Sequence, residues 1–277
     1  MLKKVFRRKP AAPALPPADQ PEDGHTLQMG LFEHLNELRT RLFRAALAVA
    51  LGTLIGLIIS GEVLNFLREP YCRAVETGES CQLLIIDPTG GVIVYFRVAL
   101  LVGGILSIPV VTYQVLMFIV PGLTDRERRY LLLAMPAITF LFLVGVAFSW
   151  YVLMPPALGF LENFQPLIFK TDWTADLYLS FVTALVFWMG VAFETPLIFF
   201  VLSILGLITP GTMLRNWRVA VVGASAAAAL ITPTIDPVNM FLVMAPLLTL
   251  YALSIVLVAI GSRINRPAGT FEVAAGQ

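Results

Sequence analysis

Six apolar stretches divide this chain, at residues 42–60, 92–120, 131–153, 178–205, 219–231 and 240–260. A hydrocarbon core about 30 Å thick is crossed by about 20 helical residues. Inside it every backbone N–H and C=O must be satisfied within the protein, so runs of this length fold as membrane-spanning helices. The fifth run has 13 residues, many of them Ala, Gly or Ser, and reaches only about 20 Å at the helical rise. Either the bilayer thins there or the helix stops part-way; its small side chains also let neighbouring helices approach closely. The chain is 58% hydrophobic and 13% charged, whereas a soluble domain is about 25% charged. An all-α integral membrane protein with six transmembrane helices is expected.

The basic residues orient the bundle. Fifteen Lys and Arg lie in the N-terminal region through Arg44, in the even-numbered loops or after the last span, against four in or beside the odd loops. That excess predicts an N-in/C-in topology with both termini cytoplasmic. Residues 1–28 begin with Lys3, Lys4, Arg7, Arg8 and Lys9 and continue Pro-rich, without the apolar core of a signal peptide. They are expected to form a disordered cytoplasmic tail, with the membrane domain at 29–264 and a second cytoplasmic tail at 265–277. Pro109, Pro136, Pro196 and Pro246 interrupt spans and should bend them into a cupped wall. In the first outer loop, 61–70 has helical spacing ending at Pro70. Cys72 and Cys81 follow in the same loop: either a disulfide closes it, contributing about 2–3 kcal/mol, or two thiols remain.

Glu194 is the one ionisable group between residues 178 and 205. A carboxylate at that depth costs about 2.5–3.5 kcal/mol on insertion scales and usually faces protein, water or a partner. Pro196 has no N–H to donate to the Ala192 carbonyl, so Glu194, Thr195 and Pro196 mark a polar, kinked spot inside the membrane. A neutral carboxyl hydrogen-bonded to a neighbouring helix is the plainer alternative.

The parts of several chemistries are missing from the sequence. Two histidines, His25 and His34, precede the first span, and no zinc-protease, serine-hydrolase or phosphate-loop motif occurs. No enzyme activity, metal, cofactor or nucleic-acid partner is expected.

The cytoplasmic segments carry more information. Leu31, Leu35, Leu38 and Leu42 form one apolar stripe ahead of the first span, with Glu33, Glu37 and Arg41 turned away from it. That is the pattern of an amphipathic lead-in helix along the inner membrane surface. Glu37 and Arg41 are also spaced for an ordinary i,i+4 ion pair. In the next cytoplasmic loop Thr124 and Glu127 have capping-box spacing, with Arg126, Arg128 and Arg129 around the acid.

His34-Leu35-x-Glu37-Leu38-Arg39-x-Arg41-Leu42 resembles the N-terminal signature of the TatC family, the six-span receptor subunit of the twin-arginine translocase. The likeness continues in order. Pro70 follows the first outer helix, and Ser107-x-Pro109 with Tyr113-Gln114 lies in the second span. Phe118-x-x-Pro121-x-Leu123 ends that span, before Glu127-Arg128-Arg129. Phe193-Glu194-x-Pro196 lies in the fourth span, and Thr232-Pro233 with Asp236 follows the fifth.

The resemblance implies a receptor in a bacterial or archaeal cytoplasmic (inner) membrane. It would bind signal peptides of folded cargo, recruit single-span TatA/TatB-type subunits and self-associate. It assigns signal-peptide binding to Glu37 and Glu127, with Arg39, Leu38 and Phe118 shaping the pocket, and partner contact to Glu194. Paired guanidiniums suit carboxylates, which they can bind through two parallel hydrogen bonds, a geometry lysine does not reproduce. The fifth and sixth spans would be the docking edge for partner helices. A proton-coupled secondary transporter using Glu194 is the alternative. Such folds carry internal repeats, and no matching acid occurs in the other half. A purely structural scaffold would leave the cytoplasmic acids unexplained.

Overall fold

The structure, a computed structural model, describes residues 31–74, 82–119, 125–165, 167, 173–232 and 236–264, without the side chains of 31–34, 73–74, 119, 125–134 and 264. Helix α1 (Leu31–Leu67) is followed by the short α2 (Glu69–Ala74), then α3 (Gly90–Ile119) and α4 (Asp125–Phe148). A π-helical turn (Ser149–Leu153) joins α4 to α5 (Met154–Glu162). The chain continues through α6 (Ala175–Ile204), α7 (Pro210–Arg215), α8 (Trp217–Ile231) and α9 (Pro237–Ile264). Five of the described helical segments are long and apolar enough to cross a membrane, and α8, at 15 residues, is the short one. The fold is that of an all-α, multi-span membrane protein.

Two expectations change. The lead-in segment is not a separate helix, because α1 runs unbroken for 37 residues. No glycine or proline lies between Leu31 and Leu51 to break it. Pro70 starts a helix and does not stop one: it is the second residue of α2, where the missing N–H has no intrahelical partner to lose.

Helix α6 is the hub, packed against α3, α4 and α9, while α1 lies along α3 and α8 along α9. The α1–α3 contact is glycine-mediated. A Cβ on Gly52 would stand 2.7 Å from the Gly103 carbonyl oxygen, and one on Gly56 would overlap the Ala99 carbonyl oxygen. These positions fix an antiparallel register. The ends of α1 and α6 away from residue 31 are tied by the Tyr178 hydroxyl, which donates to the Leu67 carbonyl at 2.7 Å inside an aromatic group with Tyr71 and Trp173. A bridge between Leu84 and Thr174 joins the segments before α3 and α6. Cys72 is disulfide-bonded; Cys81 lies outside the described residues.

At the opposite end α6 closes with Gly206 at φ 72°. The Gly206 and Leu207 amides donate back to the Ser203 and Leu202 carbonyls, so the chain reverses there. The Ser203 hydroxyl donates to the Val258 carbonyl of α9 at 2.9 Å. The next helix, α7, meets α9 two turns away, where the Tyr251 hydroxyl donates to the Met213 carbonyl at 2.8 Å. The fifth span is short because its entry point lies part-way along α9, and not level with the end of α6.

Candidate functional site

At the end of the bundle where α1 begins, Glu37 is already engaged. Its Oε1 accepts from Arg41 Nε at 2.9 Å and also from Arg41 Nη2. Both bonds fall on one oxygen, so Oε2 has no partner among the described residues. One turn of helix separates the pair, and the Thr40 hydroxyl donates to the Asn36 carbonyl beside them. Leu38 is exposed, as are Leu35, Leu42 and Phe43. Arg39, also exposed, borders a shallow hollow of about 650 Å³ with Asn36, Thr40 and Phe43.

The register of α1 on α3 extends this site. Gly52 stands opposite Gly103 and Gly56 opposite Ala99. With equal rise along both helices, the same pairing carried toward the start of α1 sets Glu37 level with Phe118. Phe118 is half-buried one residue before the end of α3. Glu127 belongs to the first turn of α4, which starts at Asp125; its side chain lies outside the described set, and so does the expected Thr124 cap. Glu37, Leu38, Arg39, Phe118 and the backbone of Glu127 therefore share one end of the bundle.

A second polar place lies in mid-helix. Glu194 is the twentieth of the 30 residues of α6, and its Oε1 is buried without a hydrogen-bond partner. Its flanks are tightly packed: the Phe193 ring lies 5.2 Å from that of Phe148, and Pro196 is fully buried. Thr195 is half-buried. Gln114 Oε1 on α3 is also buried and unpartnered. Gly104 of α3 faces Phe187 of α6, and the two helices run in the same direction, which sets Gln114 about one turn from the level of Glu194. Two unsatisfied acceptors at similar depth raise the demand for a donor, since each buried unpaired polar group costs about 1–3 kcal/mol.

The remaining positions have architectural surroundings. Asp236 caps α9: its Oδ1 accepts from the Asn239 amide at 2.7 Å and its Oδ2 from Asn239 Nδ2 at 3.0 Å. Pro70 lines a cavity of about 510 Å³ with Phe66 and Trp150, whose rings stack at 4.5 Å. Pro109 sits inside α3, and Tyr113 is exposed on the same helix. Among the described residues no cluster of three potential metal ligands occurs. Sequence reasoning missed the ion pair between Arg97 and Asp176, whose Nη1 and Oδ1 lie 2.8 Å apart. A lone Arg just inside the second span was the available signal.

The comparisons with known proteins agree. The family profile described as Sec-independent protein translocase protein (TatC) matches residues 33–246. A chloroplast Sec-independent protein translocase protein of Arabidopsis thaliana is 38% identical over 81% of this chain and 64% of its own length. The TatC protein of Koribacter versatilis is 36% identical over 82% of this chain and 84% of its own. The chain thus spans less than two thirds of the plant relative but most of the bacterial one. A crystal structure of the twin-arginine translocase receptor TatC superposes with a TM-score of 0.75 at 33% identity, covering 83% of this chain and all of that one.

Proposed function

The chain belongs to the TatC family of Sec-independent protein translocase proteins, and from that premise we propose that it is the signal-peptide receptor and core subunit of a twin-arginine translocase. It works by binding and assembly, without catalysing a covalent step. The observation that carries this reading is the carboxylate of Glu37, presented beside exposed apolar and basic groups at the same end of the bundle as Phe118 and the first turn of α4. Glu37 already binds a guanidinium, that of Arg41. An arriving arginine meets an acceptor shaped for its own chemistry, with Oε2 still available. Glu127 supplies the second carboxylate, and Leu38, Arg39 and Phe118 border the pocket.

This end faces the cytoplasm, as the excess of Lys and Arg there supports. The protein sits in a bacterial or archaeal cytoplasmic membrane with residues 1–28 and 265–277 as cytoplasmic tails. A photo-crosslinking residue at position 39 or 118 tests the assignment. It should capture a twin-arginine signal peptide, whereas the same probe at Tyr151, near the other end, should not. Capture at 151 alone would overturn the reading.

Glu194 serves the partners. Its buried, unpartnered oxygen, with that of Gln114 at a similar depth, calls for a hydrogen-bond donor, which a polar residue on a TatA/TatB-type helix or an inserted signal peptide provides. Glu194→Leu should abolish co-purification of the single-span subunits, and Glu194→Gln should weaken it only partly, because the amide can still hydrogen-bond. Signal-peptide binding should persist in both. Wild-type co-purification of both variants would reduce Glu194 to a structural residue. The secondary-transporter reading finds no support: the matching family profile is that of a protein translocase.

A further inference from the structure

A groove of about 520 Å³ runs between α3 and α6 beside Val49 of α1, with Arg97 at one end and Gly104, Ser107, Ala184 and Phe187 in its lining. It ends at Val111, 14 residues along α3 from Arg97, or about 21 Å. That exceeds one half of a hydrocarbon core about 30 Å thick. The groove opens on the flank of the bundle, where Leu100 at its lip is 57% exposed. Arg97 lies level with the N-terminal end of α6, where Nη1 donates to Asp176 Oδ1 at 2.8 Å and to its carbonyl at 3.1 Å. Its Nε and Nη2 make no bond among the described residues.

We propose that this groove holds one acyl chain of a membrane glycerophospholipid, with the phosphate bound by the free edge of the Arg97 guanidinium. The groove is too small to enclose a helix. A helix about 10 Å across fills about 1,600 Å³ over 21 Å, three times the space present. A single alkyl chain fits, and the lining offers mainly apolar walls, with the hydroxyls of Ser107, Ser180 and Thr183 among them and one cation at the headgroup end. The guanidinium edge not used by Asp176 presents two parallel N–H donors, which suits a phosphate. Asp176 sits in the first turn of α6, where the helix dipole also supports its charge. It can thus share Arg97 with a phosphate.

Native mass spectrometry of the full chain, delipidated in detergent and titrated with phosphatidylglycerol, tests this. One phosphatidylglycerol should bind per chain, and diacylglycerol or inorganic phosphate should each bind at least fivefold more weakly. Arg97→Gln should weaken phosphatidylglycerol binding about fivefold. Asp176→Asn, which breaks the ion pair but keeps the cation, should leave binding unchanged or tighten it. Ala184→Leu should narrow the groove and remove the bound lipid. Wild-type binding by both Arg97→Gln and Ala184→Leu would overturn the proposal. So would equal losses in Arg97→Gln and Asp176→Asn, which would make the ion pair structural. A signal peptide that crosslinks to position 184 despite saturating phosphatidylglycerol would overturn it as well.

Discussion

Glu37→Gln should weaken binding of a twin-arginine signal peptide by about tenfold or more. A hydrogen bond to a charged group contributes about 1.5–3 kcal/mol, and each 1.4 kcal/mol is a factor of ten in affinity. The amide keeps the shape of the side chain but loses the charge and one of the two acceptors. Arg41 makes the test sharper. In the free chain it holds Glu37 Oε1 through Nε and Nη2, so an incoming guanidinium must compete with it or take Oε2. Arg41→Gln removes the competitor and should leave affinity unchanged or raise it, opposite in sign to Glu37→Gln. A helical i,i+4 pair contributes only about 0.3–0.5 kcal/mol, so neither variant should shift thermal unfolding. Isothermal titration with a labelled peptide reads the affinity; a Glu37→Gln protein that binds like wild type would move the site elsewhere.

Gly56→Val should strongly destabilise the fold. A Cβ at position 56 overlaps the Ala99 carbonyl oxygen, and backbone on both sides leaves no flexible side chain to yield. Overpacking a core costs about 1–3 kcal/mol even where side chains can shift. Here α1 must move off α3. The thermal midpoint in detergent should fall by several degrees, and signal-peptide binding should fall with it, because the α1–α3 register holds Glu37 level with Phe118. Gly61→Val is the control. It lies on the same helix with nothing within 4 Å of an added Cβ, so it should leave both readouts near wild type.

Much of this fold was legible from hydropathy, because each span buries its own backbone and needs no distant partner to be recognised. The fourth and sixth runs, read as 178–205 and 240–260, became α6 (Ala175–Ile204) and α9 (Pro237–Ile264). What escaped is what depends on residues far apart in sequence. The continuity of α1 through its amphipathic start was hidden because polarity changes there while helical propensity does not. Pro70 reads as a stop or a start by the same local rules; the turn at Arg68 settles it as a start. The Arg97–Asp176 pair joins residues 79 positions apart. The buried oxygen of Gln114 acquires meaning only once α3 lies beside α6. At the proposed site, the i,i+4 spacing of Glu37 and Arg41 was readable, but their pairing through one oxygen was not. The glycines that set the level of Glu37 against Phe118 look like generic small residues in the sequence.

The most direct measurement is the affinity of the purified wild-type chain for a labelled twin-arginine signal peptide beside the same peptide carrying two lysines. Both peptides have equal charge, so long-range attraction cancels and only the guanidinium geometry differs. At least tenfold tighter binding of the arginine peptide is the result expected of a carboxylate receptor. Equal affinities for the two would contradict it and leave these acids as general electrostatics.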